Sequence, residues 1–142
     1  MEEARCAVAV VGATGLVGSE ILNLLDERQF PLGNLWLYAS ERTAGGTVTV
    51  GGREVLVDLL DRADFGGVDI AFFAATETVS AEWVVRATAG RAVVIDLSQL
   101  YAADPDVPLI VPELNAAAVA DYVQHRIVAS PDAAALQLAV VL

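Results

Sequence analysis

The sequence predicts an α/β fold: a mainly parallel, doubly wound sheet with helices on both faces. Three observations carry this expectation. Strand-like and helix-like patterns alternate along the chain, which is the order that builds a parallel sheet covered by helices. The strand-like runs are almost wholly apolar, as strands buried on both faces are. No repeat, low-complexity tract or linker interrupts the pattern, so residues 1–142 read as a single unit.

The elements follow in order. Cys6 to Val11 is a short β-rich apolar run. Leu16 to Arg28 has helical spacing, with Leu16, Val17, Ile21, Leu24 and Leu25 on one side. The stretch Gln29-Phe30-Pro31-Leu32-Gly33 ends that helix, and Leu35 to Ala39 is the second strand. Thr47–Val50 and Glu54–Leu59 flank Gly51-Gly52 and read as a hairpin. Val68 to Ala75 is a buried strand, Val79 to Ala89 a helix and Ala92 to Asp96 another strand. A loop runs from Leu97 to Pro108, followed by a short extended piece at Leu109 to Val111. Asn115 is positioned to cap a helix over Ala116 to Val123. Arg126 to Ala129 is the last strand. Pro131 to Leu142 is a final helix with Ser130 as its expected cap and Pro131 in the first turn. That helix is strongly apolar and carries no stop signal, so the chain looks cut inside it.

Composition narrows the function. Eight basic against 19 acidic residues give a net charge of −11. Nucleic acid and anionic membrane surfaces both need a basic face and are therefore poor partners. Mean hydropathy is +0.55, yet no apolar run reaches the roughly 18 residues of a spanning helix. The opening Met1-Glu2-Glu3-Ala4-Arg5 is too acidic for a signal peptide. One cysteine excludes an internal disulfide and, with one histidine, any standard metal site. A cytoplasmic setting is the expectation.

The chemistry centres on Gly12-Ala13-Thr14-Gly15-Leu16-Val17-Gly18, between the first strand and the first helix. This G-x-x-G-x-x-G spacing gives one glycine for a sharp turn, one for close approach to a pyrophosphate and one for helix–strand packing. The opening N–H groups and dipole of the helix favour an anion. The fold is thereby read as Rossmann-like, with its ligand at the carboxyl ends of the strands near Gly12, Ala74 and Asp96. After the second strand comes Ser40-Glu41-Arg42-Thr43. An arginine there accommodates a ribose 2′-phosphate, whereas an acid selects the free hydroxyl. Arg42 with Ser40 and Thr43 favours NADP as cofactor, with NAD the alternative. The candidate cofactor residues are Gly12, Thr14, Gly15, Leu16, Val17, Gly18, Ser40, Arg42, Thr43 and Ala74.

These segments resemble the NAD(P)-binding domain of the aspartate-semialdehyde dehydrogenase family. The resemblance rests on Val10 to Gly18, Ala39 to Gly45, Val68 to Phe73, Val93 to Asp96 and Asp104 to Asn115. It runs from about Val8 to the carboxyl end. It implies an NADP-dependent reductive dephosphorylation of aspartyl phosphate to the semialdehyde through a cysteine thioester. The segment resembling the cysteine motif reads Ala129-Ser130-Pro131-Asp132-Ala133-Ala134-Ala135-Leu136-Gln137, so the position of the family's nucleophile is Ala133. The position of its phosphate-holding arginine is Ala102, and a neighbouring asparagine is Leu97. A methyl group is no nucleophile. No catalytic residue is therefore assigned, and the pattern resembles a degenerate, non-catalytic branch of the family. Glu77 stands where the family usually has glycine, and would put a carboxylate close to the pyrophosphate. The family's second domain, with its remaining catalytic groups and dimer interface, has no counterpart in these residues.

Cys6 reads as a small core residue, His125 as a solvated loop residue, Trp36 and Trp83 as packing, and Asp58, Asp61 and Asp64 as a solvated edge. The expected partners are a dinucleotide and either a second copy or a related dehydrogenase subunit. The alternative reading is a non-enzymatic interaction or regulatory protein that keeps the fold without the ligand.

Overall fold

The structure is a computed structural model and describes residues 4–141. Within these residues seven strands form one sheet: β1 (Cys6–Val11), β2 (Leu32–Ala39), β3 (Thr47–Val50), β4 (Arg53–Leu59), β5 (Ile70–Phe73), β6 (Val93–Asp96) and β7 (Ile127–Ala129). Four α-helices accompany them: α1 (Leu16–Glu27), α2 (Glu77–Ala89), α3 (Pro112–Asn115) and α4 (Ala133–Val141). The strand order is β3-β4-β2-β1-β5-β6-β7. All neighbours run parallel except the β3–β4 hairpin, whose antiparallel register pairs Val50 with Arg53. The chain leaves β1 toward β2 on one side and returns to β5 on the other. That reversal opens a crevice beyond the carboxyl ends of β1 and β5, where ligands of such sheets bind.

Alternation along β1 divides the core between two layers. Ala9 and Val11 pack in one cluster with Phe73, Trp83, Val84 and Ala87, which covers the α2 face. Val8 and Val10 pack in the other with Leu22, Leu25, Leu37 and Val57, which covers the α1 face. All four β1 residues are buried, as the unbroken apolar run requires. Phe65, in the connection from β4 to β5, anchors the α2 layer. Its ring centroid lies 5.8 Å from Tyr38, 6.0 Å from Phe73 and 6.5 Å from Trp83, within the range of favourable aromatic pairs. On the outer side of Trp83, the Arg86 guanidinium sits 4.2 Å from the ring centroid.

The element order, the hairpin and both strand ends of β1 are as the sequence predicts. Several boundaries differ for identifiable reasons. β2 begins at Leu32 instead of Leu35, because Cys6 pairs with Leu32 after the Cys6 N–H bonds to the Pro31 carbonyl at 2.8 Å. β5 is shorter than Val68 to Ala75, since Val68 and Ala75 lie beyond the register with β1. Residues Ala116–Gln124 coil as a 3-10 helix instead of an α-helix. Asn115 stands at its N-cap position, but its side chain does not cap it. Its Oδ1 accepts from the Val111 N–H at 2.7 Å and its Nδ2 donates to the Leu109 carbonyl at 2.8 Å, so it closes the preceding loop. Ser130 does not cap α4 either. The Asp132 Oδ1 accepts from the Ala135 N–H at 2.7 Å, and the helix begins at Ala133. The short extended piece reduces to one bridge, Leu109 to Ala129. Leu142 lies outside the described residues.

Cys6 is half-buried against the α1 layer, Trp83 is buried, Trp36 half-buried, and His125, Asp58, Asp61 and Asp64 are exposed. Asp64 also shapes its own turn, where its Oδ1 accepts from the Gly66 N–H at 2.8 Å. Among the described residues no helix is long and apolar enough to cross a membrane. No group of three or more His, Cys, Asp or Glu side chains among them could hold a metal ion.

Candidate functional site

The glycine turn is assembled from three strands. Gly12 leaves β1 with φ +81°, a left-handed conformation that favours glycine. Its N–H and that of Ala13 donate to the Tyr38 carbonyl at 2.9 and 3.2 Å, tying the turn to the end of β2. A Cβ on Gly12 would stand 2.2 Å from the Ala74 carbonyl oxygen, so the turn also presses on the end of β5. A Cβ on Gly18 would stand 2.0 Å from the Gly12 carbonyl oxygen, which brings the first turn of α1 onto the loop. Gly15 is the N-cap of α1, and no side chain caps that end. The opening N–H groups of α1, from Leu16 and Val17, have no partner within the helix. Their side chains are 91 % and 47 % exposed, so only their backbone is placed to meet an anion.

The second loop closes on the first. The Thr14 and Thr43 hydroxyls are 2.8 Å apart and share a hydrogen bond. The Ser40 carbonyl accepts from the Thr43 and Ala44 N–H groups at 3.0 and 2.9 Å, making a tight turn just after β2. Ser40, Glu41 and Arg42 are exposed on this turn. Among the described residues Arg42 makes no ion pair, the one bridge being Arg86 to Glu82 at 3.5 Å. Ala74 is half-buried, with its N–H donating to the Val11 carbonyl at 2.9 Å. The structure thus brings Gly12, Thr14, Gly15, Gly18, Thr43 and Ala74 together, with Ser40 and Arg42 on the adjoining turn. Glu77 is the first residue of α2, whose N-cap Thr76 accepts from the Val79 N–H at 3.4 Å. A carboxylate in a first helical turn is itself favourable to the helix.

A second group lies at the carboxyl ends of β6 and β7. Asp96 is fully buried. Its Oδ1 accepts from the Ser98 N–H at 3.2 Å and the Ser98 hydroxyl at 2.7 Å, while its Oδ2 has no partner among the described residues. Gln99 adopts φ +78° and donates from Nε2 to the Ser130 carbonyl at 3.1 Å. That bond ties the loop carrying Ala102 to the turn that starts α4 at Ala133. Ala102 is half-buried and Ala133 exposed. Neither methyl group can attack a carbonyl or hold a phosphate. Cys6 opens β1 at the opposite end of the sheet, roughly 20 Å away along the strand.

Tyr38 and Tyr101 flank these two groups. Burial raises the Tyr38 hydroxyl above its ordinary 10.0; the Asp64 carbonyl bond opposes this, and the Asp58 and Asp64 charges add to it. Burial raises Tyr101 too, followed by the Asp96 and Asp104 charges. The neutral phenols are therefore favoured by the fold. The unfolded chain releases those protons near 10 while the folded one still holds them. Stability is then fully present below pH about 10 and is lost as the pH rises beyond it. Urea midpoints measured from pH 8 to 11 are expected to hold steady and then fall. The Tyr38→Phe and Tyr101→Phe variants should show a shallower alkaline fall.

The sequence pattern did not reveal the Thr14–Thr43 bridge, the burial of Asp96 or the tie made by Gln99. A threonine in each of two phosphate-type loops was the one available signal for the first. The other two depend on the path of the loop after β6, which carries no periodic pattern.

A parallel sheet with a reversal at β1, a left-handed glycine where β1 ends and an uncapped helix behind it define a nucleotide-binding domain of the Rossmann class. The chain matches the family described as semialdehyde dehydrogenase, NAD binding domain, over residues 7–122, and it belongs to that family. It is 45 % identical over 136 residues to aspartate-semialdehyde dehydrogenase of Aquifex aeolicus, covering 95 % of this chain and 40 % of that one. It is 42 % identical over 135 residues to the enzyme of Rickettsia conorii, again covering 95 % and 40 %. Among solved structures, aspartate semialdehyde dehydrogenase II from Vibrio cholerae superposes with a TM-score of 0.92 at 39 % identity, covering 95 % of this chain and 40 % of that one. The Candida albicans enzyme, solved with NADP, superposes at 0.72 with 21 % identity over 89 % of this chain and 42 % of that one, and shows the shared fold. The chain spans about 40 % of the length of the curated relatives it matches.

Proposed function

We propose that residues 1–142 form one dinucleotide-binding unit that holds NADP and carries no dehydrogenase activity of its own. The observation that supports binding is the cradle at Gly12 and Gly18, which a single Cβ at either position would fill. The N–H groups of Leu16 and Val17 would receive the pyrophosphate, and Thr14 and Thr43 would fix the two loops against each other. Arg42, with Ser40 and Thr43, would meet the ribose 2′-phosphate. When bound, the nicotinamide supplies hydride transfer. Two positions argue that this chain does not use it. Ala133, at the start of α4, offers no nucleophile, and Ala102, in the loop tied to it by Gln99, offers no cation for a phosphate. NADP dependence and aspartyl phosphate chemistry are what the resemblance to this family implies, and a single cysteine in the sequence fits a cytoplasmic setting.

Calorimetric titration with NADPH and NADH tests the first half. Saturable binding that prefers NADPH is expected; no heat with either nucleotide would overturn the cofactor assignment. Phosphate-dependent reduction of NADP by aspartate semialdehyde tests the second half, and clear turnover would sink the claim of inactivity.

A second reading is favoured by α4, where Leu138, Val140 and Val141 are 64, 58 and 83 % exposed. An apolar helix face of this kind fits an interaction or regulatory role, with a second copy or a related dehydrogenase subunit covering it. Strictly monomeric behaviour in sedimentation, with or without such a subunit, would count against it.

A further inference from the structure

A cavity of about 430 Å³ lies at the opposite end of the sheet from the glycine turn. It opens between the amino-terminal ends of β1, β2 and β4, the carboxyl end of α1 and the β3–β4 turn. Arg5, just before β1, and Arg53, the first residue of β4, both line it. Asp26, near the end of α1, lines it as well, with its Oδ1 3.4 Å from where a Cβ on Gly51 would stand. Leu25, Phe30 and Leu32 give the cavity an apolar wall.

Among the described residues neither arginine comes within ion-pair distance of Asp26 or any other carboxylate. The chain has only eight basic residues against 19 acidic ones, so two arginines in one cavity are a local reversal of its overall charge. Guanidinium forks match carboxylates in a two-point geometry. The carboxyl end of α1 and Asp26 favour a cation instead. A ligand with two carboxylates and one ammonium on a short carbon chain would satisfy all of these.

We propose that this cavity is a second binding site, for an acidic α-amino acid. Arg5 and Arg53 hold its two carboxylates. Asp26 holds its ammonium, and the methylene carbons lie on the Leu25, Phe30 and Leu32 wall. The site is independent of the dinucleotide reading, because it uses the other ends of the strands.

The test is calorimetric titration of the full chain with L-aspartate, L-glutamate, succinate and L-alanine. Saturable binding of L-aspartate or L-glutamate is expected. Succinate lacks the ammonium and L-alanine the second carboxylate, so both should bind more weakly. Arg53→Met should weaken the acidic amino acid by about tenfold or more, with an unchanged unfolding midpoint in the absence of ligand. Asp26→Asn should remove the preference over succinate. No saturable heat with either acidic amino acid would overturn the proposal. So would binding that Arg53→Met leaves intact, which would place the ligand elsewhere, or succinate binding as tightly as the amino acids. If Arg53→Met shifts the midpoint, Arg53→Lys serves instead: it keeps the charge, loses the fork and should weaken binding in the same direction.

Discussion

Replacing Gly12 with alanine is expected to destabilise the domain by about 3 kcal/mol or more and to abolish nucleotide binding. Two costs combine. The left-handed backbone at φ +81° costs a non-glycine residue roughly 1–2 kcal/mol. The added Cβ would stand 2.2 Å from the Ala74 carbonyl oxygen, a backbone atom that can move only if β5 or the turn shifts. Overpacking of this kind costs typically about 1–3 kcal/mol. The sum is a large share of the ~5–15 kcal/mol that holds a domain together. Urea unfolding followed by circular dichroism measures it. A loss below about 0.5 kcal/mol, the level of an ordinary surface substitution, would mean that the turn does not press on β5 as described.

The second expected result concerns nucleotide choice. Arg42→Ala should weaken NADPH binding by about tenfold or more while leaving NADH nearly untouched, since a charge-assisted bond to phosphate is worth roughly 1.5–3 kcal/mol. Arg42 is exposed and makes no ion pair among the described residues, so its removal leaves no buried charge behind. The change should appear in binding and not in stability. Equal weakening for both nucleotides would move Arg42 from the ribose phosphate to the pyrophosphate or to general loop order. Glu41→Gln gives the opposite check. If the carboxylate opposes the phosphate from the same turn, its loss should tighten NADPH.

Much of this was legible because buried parallel strands leave a strong imprint. The unbroken Cys6–Val11 run and the Gly51-Gly52 turn placed β1 and the hairpin without help from packing. The glycine spacing located the turn because each glycine answers a separate steric demand. Less legible were features set by where distant loops meet. Asn115 and Ser130 have the composition of caps, yet Asn115 spends its side chain on Val111 and Leu109, and α4 takes Asp132 instead. A cap depends on the direction in which the chain enters the helix, which a sequence window does not contain. Asp96 could be placed at a strand end, but its burial follows from β7 and the Ser98 turn closing over it.

The contacts at Gly12 also say something about when the site comes into being during synthesis. Its N–H is held by Tyr38, 26 residues later, and its Cα packs on Ala74, 62 residues later. A ribosome-bound chain that has emerged only through the β3–β4 hairpin therefore carries the whole glycine motif with one of its supporting walls missing. Long-range pairing of this kind forms late, since the loop must close before the contact rewards it. The binding turn and the central sheet then mature in one cooperative step with the arrival of β5. An amino-terminal fragment ending before Ile70 should contain every residue of the motif and bind nothing.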